Sequence, residues 1–228
     1  LLIKLIEDET APSVSEVVPI LPDLGDNIQF GNSLVSQTEL NGISGANHQM
    51  MEIAPFDWST INNGCGFDVI IGNPPYVNTE GMHALLPSAE VEIYKKKYKT
   101  SHKQFDKYFI FIEQAINKIN ENGLVCYIVP NKFFKIGAGE KLRNLIAKER
   151  MLVSLDDFGD AQLFEDKTIY SSIILLSKAK QTSFVYSSVD SANKLWAGEE
   201  VSSIELNSSI LNKLPWRLTT DFEFLTML

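Results

Sequence analysis

Apolar and polar positions along this chain of 228 residues fall into two rhythms, one strand-like and one helical. Phe67, Val69, Ile70 and Ile71 predict a buried strand that runs into Gly72, and Leu124 to Val129 is an unbroken apolar run of strand length, as central parallel strands are. Between them, Phe105, Tyr108, Phe109, Ile112, Ile116 and Ile119 recur at helical spacing, which predicts a helix over 105–120 stopped by Asn122-Gly123. A second helix is predicted from about Gly139 to Glu149 with Leu142, Leu145 and Ile146 inward. Strands follow at 151–157 and 169–176, separated by a turn at Phe158-Gly159-Asp160. This strand, helix, strand alternation predicts an α/β fold with a doubly wound sheet and helices on both faces.

The remaining segments carry weaker patterns. Residues 1–8 predict the end of an amphipathic helix, and a polar, Pro-containing connection leads to Asp23. Residues 27–30 predict a short strand ended by the turn Gly31-Asn32-Ser33-Leu34. Residues 37–66 are polar and rich in Gly and Asn, a loop with one helical turn near 49–53, and 77–88 reads as a second irregular stretch. Long connections of this kind are commonly functional. Residues 183–189 predict a further strand in a hairpin with the preceding one. From Asp190 onward the pattern assigns no fold.

Composition narrows the setting. The chain is 44% hydrophobic, enough for a sizeable core. Its longest apolar run is far shorter than a membrane span, and the early LLIKLI string is too short and too charged for a signal peptide. Cys65 and Cys126 offer neither metal-ligand spacing nor a disulfide framework, so no metal is expected and a cytoplasmic location fits. The net charge of −9 opposes phosphate binding on average. The exception is local: Lys95, Lys96, Lys97, Lys99 and Lys103 cluster with Tyr94, Tyr98 and Phe105 interleaved. A solvated helix face and a contact with a nucleic-acid backbone are both open readings of that cluster.

The chemistry concentrates in Phe67 to Tyr76, FDVIIGNPPY. Asn73, Pro74, Pro75 and Tyr76 lie at the carboxyl end of a strand, where open α/β sheets bind ligands. The prolines fix their own φ angles and restrict the residue before each. The Asn73 side chain and the Pro74 carbonyl therefore make a rigid pair of acceptors, and Tyr76 adds a flat ring suited to stacking.

Asn-Pro-Pro-Tyr after an apolar strand resembles the catalytic loop of the S-adenosylmethionine-dependent amino-methyltransferases, above all the adenine-N6 DNA methyltransferases. The resemblance implies that Asn73 and Pro74 accept the two hydrogens of the exocyclic amine of a flipped-out adenine, drawing its lone pair toward the methyl donor by positioning and electrostatics. It further implies that Asn32 and Phe111 contact the cofactor S-adenosylmethionine, and that Tyr76 and Phe164 clamp the base from two sides. The lysine cluster becomes a candidate for the backbone of double-stranded DNA.

The order of elements over 27–180 is most similar to the single-chain type IIG restriction-modification enzymes. Two family elements are missing: a Gly-rich loop after an N-terminal strand, and an acidic strand end for the cofactor ribose. The expectation is that 1–189 form the C-terminal portion of a methyltransferase catalytic domain and 190–228 a linker or the start of a target-recognition region. An upstream cofactor-binding segment and a downstream recognition domain would belong to the same parent chain, and this portion alone would be inactive. Methylation of a protein glutamine, methylation of RNA, and a non-catalytic DNA-binding or assembly module are the alternatives.

Overall fold

The computed structural model describes residues 25, 27–61, 64–162, 170–191, 193–194 and 197–221. The chain divides into two compact units, Leu1–Gly31 and Asn32–Leu228. Residues 1–8 and the connection to Asp23 lie outside the described residues. Residues 27 and 28 form a turn and a bend and 29–30 have no regular structure, instead of the predicted strand, in keeping with the turn preference of Asn.

The second unit is built on a six-stranded mixed sheet in the order β1-β2-β4-β3-β5-β6. Its strands are β1 (Phe67–Gly72), β2 (Ile119–Pro130), β3 (Leu152–Gln162), β4 (Tyr170–Ser177), β5 (Ser183–Ser188) and β6 (Ser202–Asn207). β1 and β2 are parallel, with Ile71 opposite Cys126. β4 inserts antiparallel between β2 and β3. The α/β fold is as expected, and within its sheet β4 runs opposite to both of its neighbours.

The predicted hairpin of 183–189 with the preceding strand does not form. β5 instead pairs parallel with the far side of β3, because both edges of β4 are already taken by β2 and β3. The predicted turn at 158–160 is likewise carried inside β3, where Gly159 takes φ 50° and the register with β4 shifts between Asp157 and Gln162. A bulge absorbs the irregularity without ending the strand.

Among the described residues, six α-helices accompany the sheet: α1 (Gln37–Asn41), α2 (Met50–Ile53), α3 (Thr79–Leu85), α4 (Ser88–Lys97), α5 (Lys107–Lys118) and α6 (Glu140–Lys148). α1 opens on a full capping box, with Ser36 accepting from the Glu39 amide and Glu39 accepting from the Ser36 amide. The stretch 77–88, predicted irregular, holds α3 and the start of α4. Asn78 caps α3 by accepting from the Gly81 amide. The main helix, α5, buries Tyr108, Phe109, Ile112 and Ile116 and packs on β2. It stops at Lys118, earlier than predicted, because Ile119 to Gly123 are drawn into β2. Gly123 makes that possible: a Cβ there would sit 2.7 Å from the Phe67 carbonyl oxygen.

β2 is covered on both faces, as its unbroken apolar run predicts, with Val125, Tyr127 and Val129 buried and the residues between them half-buried. β1 departs from expectation. It is an edge strand, with Val69 50% and Ile71 78% exposed. At the far end, β6 joins the sheet by pairing with β5, and Trp216 stacks on Phe134, so 202–216 are integral to the unit.

Candidate active site at the carboxyl ends of β1, β2 and β3

The parallel relation of β1, β2 and β3 places Asn73, Asn131 and Asp157 at one end of the sheet. Gly72 is the last residue of β1, and a Cβ on it would meet the Tyr127 ring at 3.1 Å. Glycine lets that ring lie against the strand end. Pro74 is buried behind the loop while Asn73 and Pro75 are exposed, so Asn73 is held from behind and open in front. Tyr76 is half-buried, edge-on to Tyr108 at 6.1 Å between ring centroids. Its hydroxyl lies 2.5 Å from Asn73 Oδ1 and donates to the Ile128 carbonyl at 2.9 Å. Burial pushes the Tyr76 phenol up to about 12.

The chain beyond Tyr76 is latched to the start of α5. The Lys107 amide donates to the Val77 carbonyl at 2.7 Å, Asn78 bridges Asp106, and the Thr79 hydroxyl donates to the Phe105 carbonyl at 2.8 Å. Lys132, in the 3-10 turn Asn131–Phe134 after β2, pairs with the buried Asp106 at 3.0 Å. The loops from β1 and β2 and the head of α5 therefore form one braced assembly.

Asn131 donates to Asp157 Oδ1 at 2.8 Å, the Gly159 amide donates to the same oxygen at 3.1 Å, and the Tyr186 hydroxyl lies 3.4 Å from Asp157 Oδ2. This polar cluster was not anticipated from the sequence. An Asp closing a predicted strand was the available signal, but its side-chain partners, Asn131 and Tyr186, are remote in sequence. Phe164, the expected second base-stacking residue, lies outside the described residues.

Asn32 is placed by a single bridge to Pro55. Its side-chain oxygen accepts from the Leu34 amide at 3.1 Å, and its Nδ2 lies 3.5 Å from the Tyr94 hydroxyl. The adjacent turn is held by three side chains that sequence reading missed. Gln114 and Trp58 donate to the Ser33 carbonyl at 3.0 and 2.8 Å, and Tyr98 donates to the Leu34 carbonyl at 2.8 Å. Gln114 belongs to α5, and Phe111 precedes it by three residues, on the same helix face. Phe111 is half-buried against the core. Asn32 Oδ1 keeps acceptor capacity beyond its bond to the Leu34 amide, and the Phe111 ring stays partly exposed on the flanking helix.

The basic cluster separates into two kinds of lysine. Lys97 is drawn inward, donating to the Leu34 carbonyl at 3.0 Å and pairing with Glu39 at 2.9 Å. Lys95, Lys96, Lys99 and Lys103 are exposed. Lys96 pairs with Glu92 along α4, Lys95 meets His83 at 3.1 Å, and Lys103 reaches Glu140 only at 3.9 Å. A cavity of about 740 Å3 opens at the other end of the sheet, beside Phe67 and Ile119. Its lysines are committed: Lys97 as above, Lys118 over the Trp58 ring, and Lys178 donating to the Ile119 carbonyl at 2.5 Å.

Among the described residues, no helix is long and apolar enough to cross a membrane. The chain is 40% identical over 220 residues to the type II restriction enzyme and methyltransferase RM.Eco57I of Escherichia coli, covering 96% of this chain and 21% of that protein. It is 31% identical over 113 residues to the type II methyltransferase M.PaeR7I of Pseudomonas aeruginosa, covering 49% of this chain and 19% of that one. The chain thus spans about a fifth of the length of these relatives. Its fold is shared with DrdV, solved as a DNA complex, at a TM-score of 0.54 and 15% identity over 80% of this chain and 20% of that one. It is shared also with the type IIL restriction-modification enzyme MmeI, solved with DNA, at 0.50 and 15% over 66% and 20%. The model of the Eco57I restriction-modification methylase family matches residues 19–164, which include the Asn73 loop, Asn32 and Phe111, and the chain belongs to that family.

Proposed function

We propose that this chain is the catalytic region of a site-specific adenine-N6 DNA methyltransferase of a restriction-modification system, and that Asn73 and the Pro74 carbonyl receive the amine of a flipped-out adenine. The observation that carries the reading is the setting of Asn73: exposed, at the carboxyl end of β1, backed by a buried proline and touched by the Tyr76 hydroxyl. An aromatic amine is a poor nucleophile because its lone pair is delocalised into the ring. Two fixed acceptors favour the geometry in which that lone pair is freed, and they require no covalent intermediate. Bound S-adenosylmethionine supplies an electrophilic methyl group. Asn32 and Phe111 are the residues of this chain that would hold its adenine.

Tyr76 contributes one stacking face for the base, and Phe164 is the proposed second. Lys95, Lys96, Lys99 and Lys103 are the proposed contacts to the DNA backbone, with Lys97 contributing through the fold. The apolar edge of β1, with Val69 and Ile71 exposed, suits pairing with a strand of the cofactor-binding half of the parent protein. An unpaired apolar edge otherwise invites association. The isolated chain is therefore expected to be inactive, and target recognition to reside beyond it.

The test is methyl transfer from labelled S-adenosylmethionine by the full-length protein, offered duplex DNA and a protein pool, with Asn73→Ala as control. N6-methyladenine in DNA, lost in the control, is the expected result. Label in protein glutamine would overturn the reading, as would the absence of label in both pools.

A further inference from the structure

The Tyr76 hydroxyl has one proton and two oxygens within reach, Asn73 Oδ1 at 2.5 Å and the Ile128 carbonyl at 2.9 Å. The Ile128 carbonyl can only accept. When the proton goes to Ile128, the phenol oxygen offers a lone pair toward Asn73, and an amide oxygen there would leave two acceptors face to face. Asn73 carries a donor on the other end of the same amide. A half-turn about its terminal torsion exchanges Oδ1 and Nδ2 at nearly constant shape.

Two states of this trio follow. In one, Tyr76 donates to Asn73 Oδ1 and the amide presents its NH2 outward. In the other, Tyr76 donates to Ile128, Asn73 Nδ2 donates to Tyr76, and Oδ1 faces outward. Only the second gives an incoming amine an acceptor, and it leaves none of the three groups unpaired. The anchor is rigid, because Ile128 lies within β2 between β1 and β4. The phenol is a donor at neutral pH, as any tyrosine is, and burial pushes it further up, to about 12.

We propose that Tyr76, beyond any stacking role of its ring, is a positioning and specificity-determining residue whose hydroxyl, anchored on the Ile128 carbonyl, sets which end of the Asn73 amide faces the target base. The inference rests on the adenine-methyltransferase reading above. It assigns the selection of a 6-amino over a 6-oxo purine to the Tyr76 hydroxyl acting through Asn73.

The experiment compares the full-length protein with its Tyr76→Phe variant, which keeps the ring. Duplexes carry either the target adenine or hypoxanthine in its place. Tyr76→Phe should lower kcat by about three- to tenfold, the worth of one orienting hydrogen bond, with KM for DNA within about twofold. In binding, which needs no methyl transfer, the preference for adenine over hypoxanthine should narrow by about threefold or more, because a freed amide can turn its NH2 to the 6-oxo group. Asn73→Asp supplies a second background. A carboxylate has two like oxygens, so adding Tyr76→Phe to that variant should leave the base preference unchanged.

An unchanged kcat, or a raised KM alone, would overturn the proposal. So would a fall in kcat with the base preference intact, or an equal change of preference in the Asn73→Asp background. If the wild-type protein fails to methylate DNA adenine, the functional reading itself falls, visibly before any variant is compared, and this inference falls with it.

Discussion

Tyr76 and Asn73, three residues apart, meet side chain to side chain at 2.5 Å, and the same tyrosine is tied at 2.9 Å to Ile128 on the neighbouring strand. The candidate catalytic amide is thus braced by the sheet as well as by its prolines. Because a carbonyl oxygen must face the developing charge, Asn73→Ala in the full-length protein should lower kcat by about 10²- to 10³-fold. Asn73 is exposed, so the thermal transition should move little. Steady-state kinetics with a melting curve on the same preparation check both halves.

Burial raises the phenols of Tyr76, Tyr127 and Tyr186 to about 12 each, with Asp157 adding to the effect at Tyr186. The folded state holds these protons more tightly than the unfolded chain, whose tyrosines titrate near 10. The associated stability is complete below about pH 10 and is lost as pH rises from about 10 toward 12. Absorbance titration at the tyrosinate band should show a class titrating late. Melting temperature should be insensitive to these groups at neutral pH and fall across that alkaline window.

Glu90 is buried, receives the Tyr94 hydroxyl, and pairs with Lys107 at 3.3 Å. Lys107→Met strands a buried carboxylate and should destabilise the fold by about 3–5 kcal/mol. Lys96 pairs with Glu92 on an exposed helix face, and Lys96→Met should cost less than about 0.5 kcal/mol. Urea denaturation of the two variants side by side measures the contrast.

Arg143 is 2% exposed, and its guanidinium is held by backbone oxygens. It donates to the carbonyls of Phe133, Ile136, Lys213 and Leu214, at 2.5 to 3.1 Å. It staples the segment after β6 to the turn that carries Lys132. Gly139 leaves room for the guanidinium, since a Cβ there would lie 2.8 Å from Arg143 Nη1. Arg143→Ala removes a multiply bonded donor and leaves buried carbonyls unpaired, at a cost of about 3 kcal/mol or more. Proteolysis within 211–216 should accelerate well before global unfolding.

The exposed lysines predict a salt-dependent effect. Replacing Lys95, Lys96, Lys99 and Lys103 by Gln should weaken DNA binding similarly on specific and random duplexes. Each contact removed should reduce the slope of log affinity against log salt by about 0.9. Lys97→Gln should act mainly on stability, because its ammonium is held by Glu39 and the Leu34 carbonyl. Fluorescence anisotropy across a salt series, beside denaturation curves, distinguishes the two classes.

Local chemistry decided what the sequence by itself determined here. Two prolines after an apolar strand constrain Asn73 through their own rings, and the apolar stripe of α5 and the unbroken run of β2 are periodicities that burial requires. Strands β1 to β5 were therefore legible as strands, and the Asn73 loop as a candidate site, whereas 27–30 did not form the expected strand and β6 lies where the pattern assigned no fold. Strand partners were not legible. β4 lies between β2 and β3, and β5 pairs parallel with β3 instead of folding back on β4, because pairing depends on which edges remain free once the sheet assembles. Neighbours from distant elements also decided the fate of individual polar groups: Arg143 buried among carbonyls, Lys97 turned inward beside Lys96 turned outward, and the Tyr76 hydroxyl reaching a carbonyl 52 residues away. A side chain's hydrogen-bond partner is a property of the space it folds into, and only the tertiary structure supplies that.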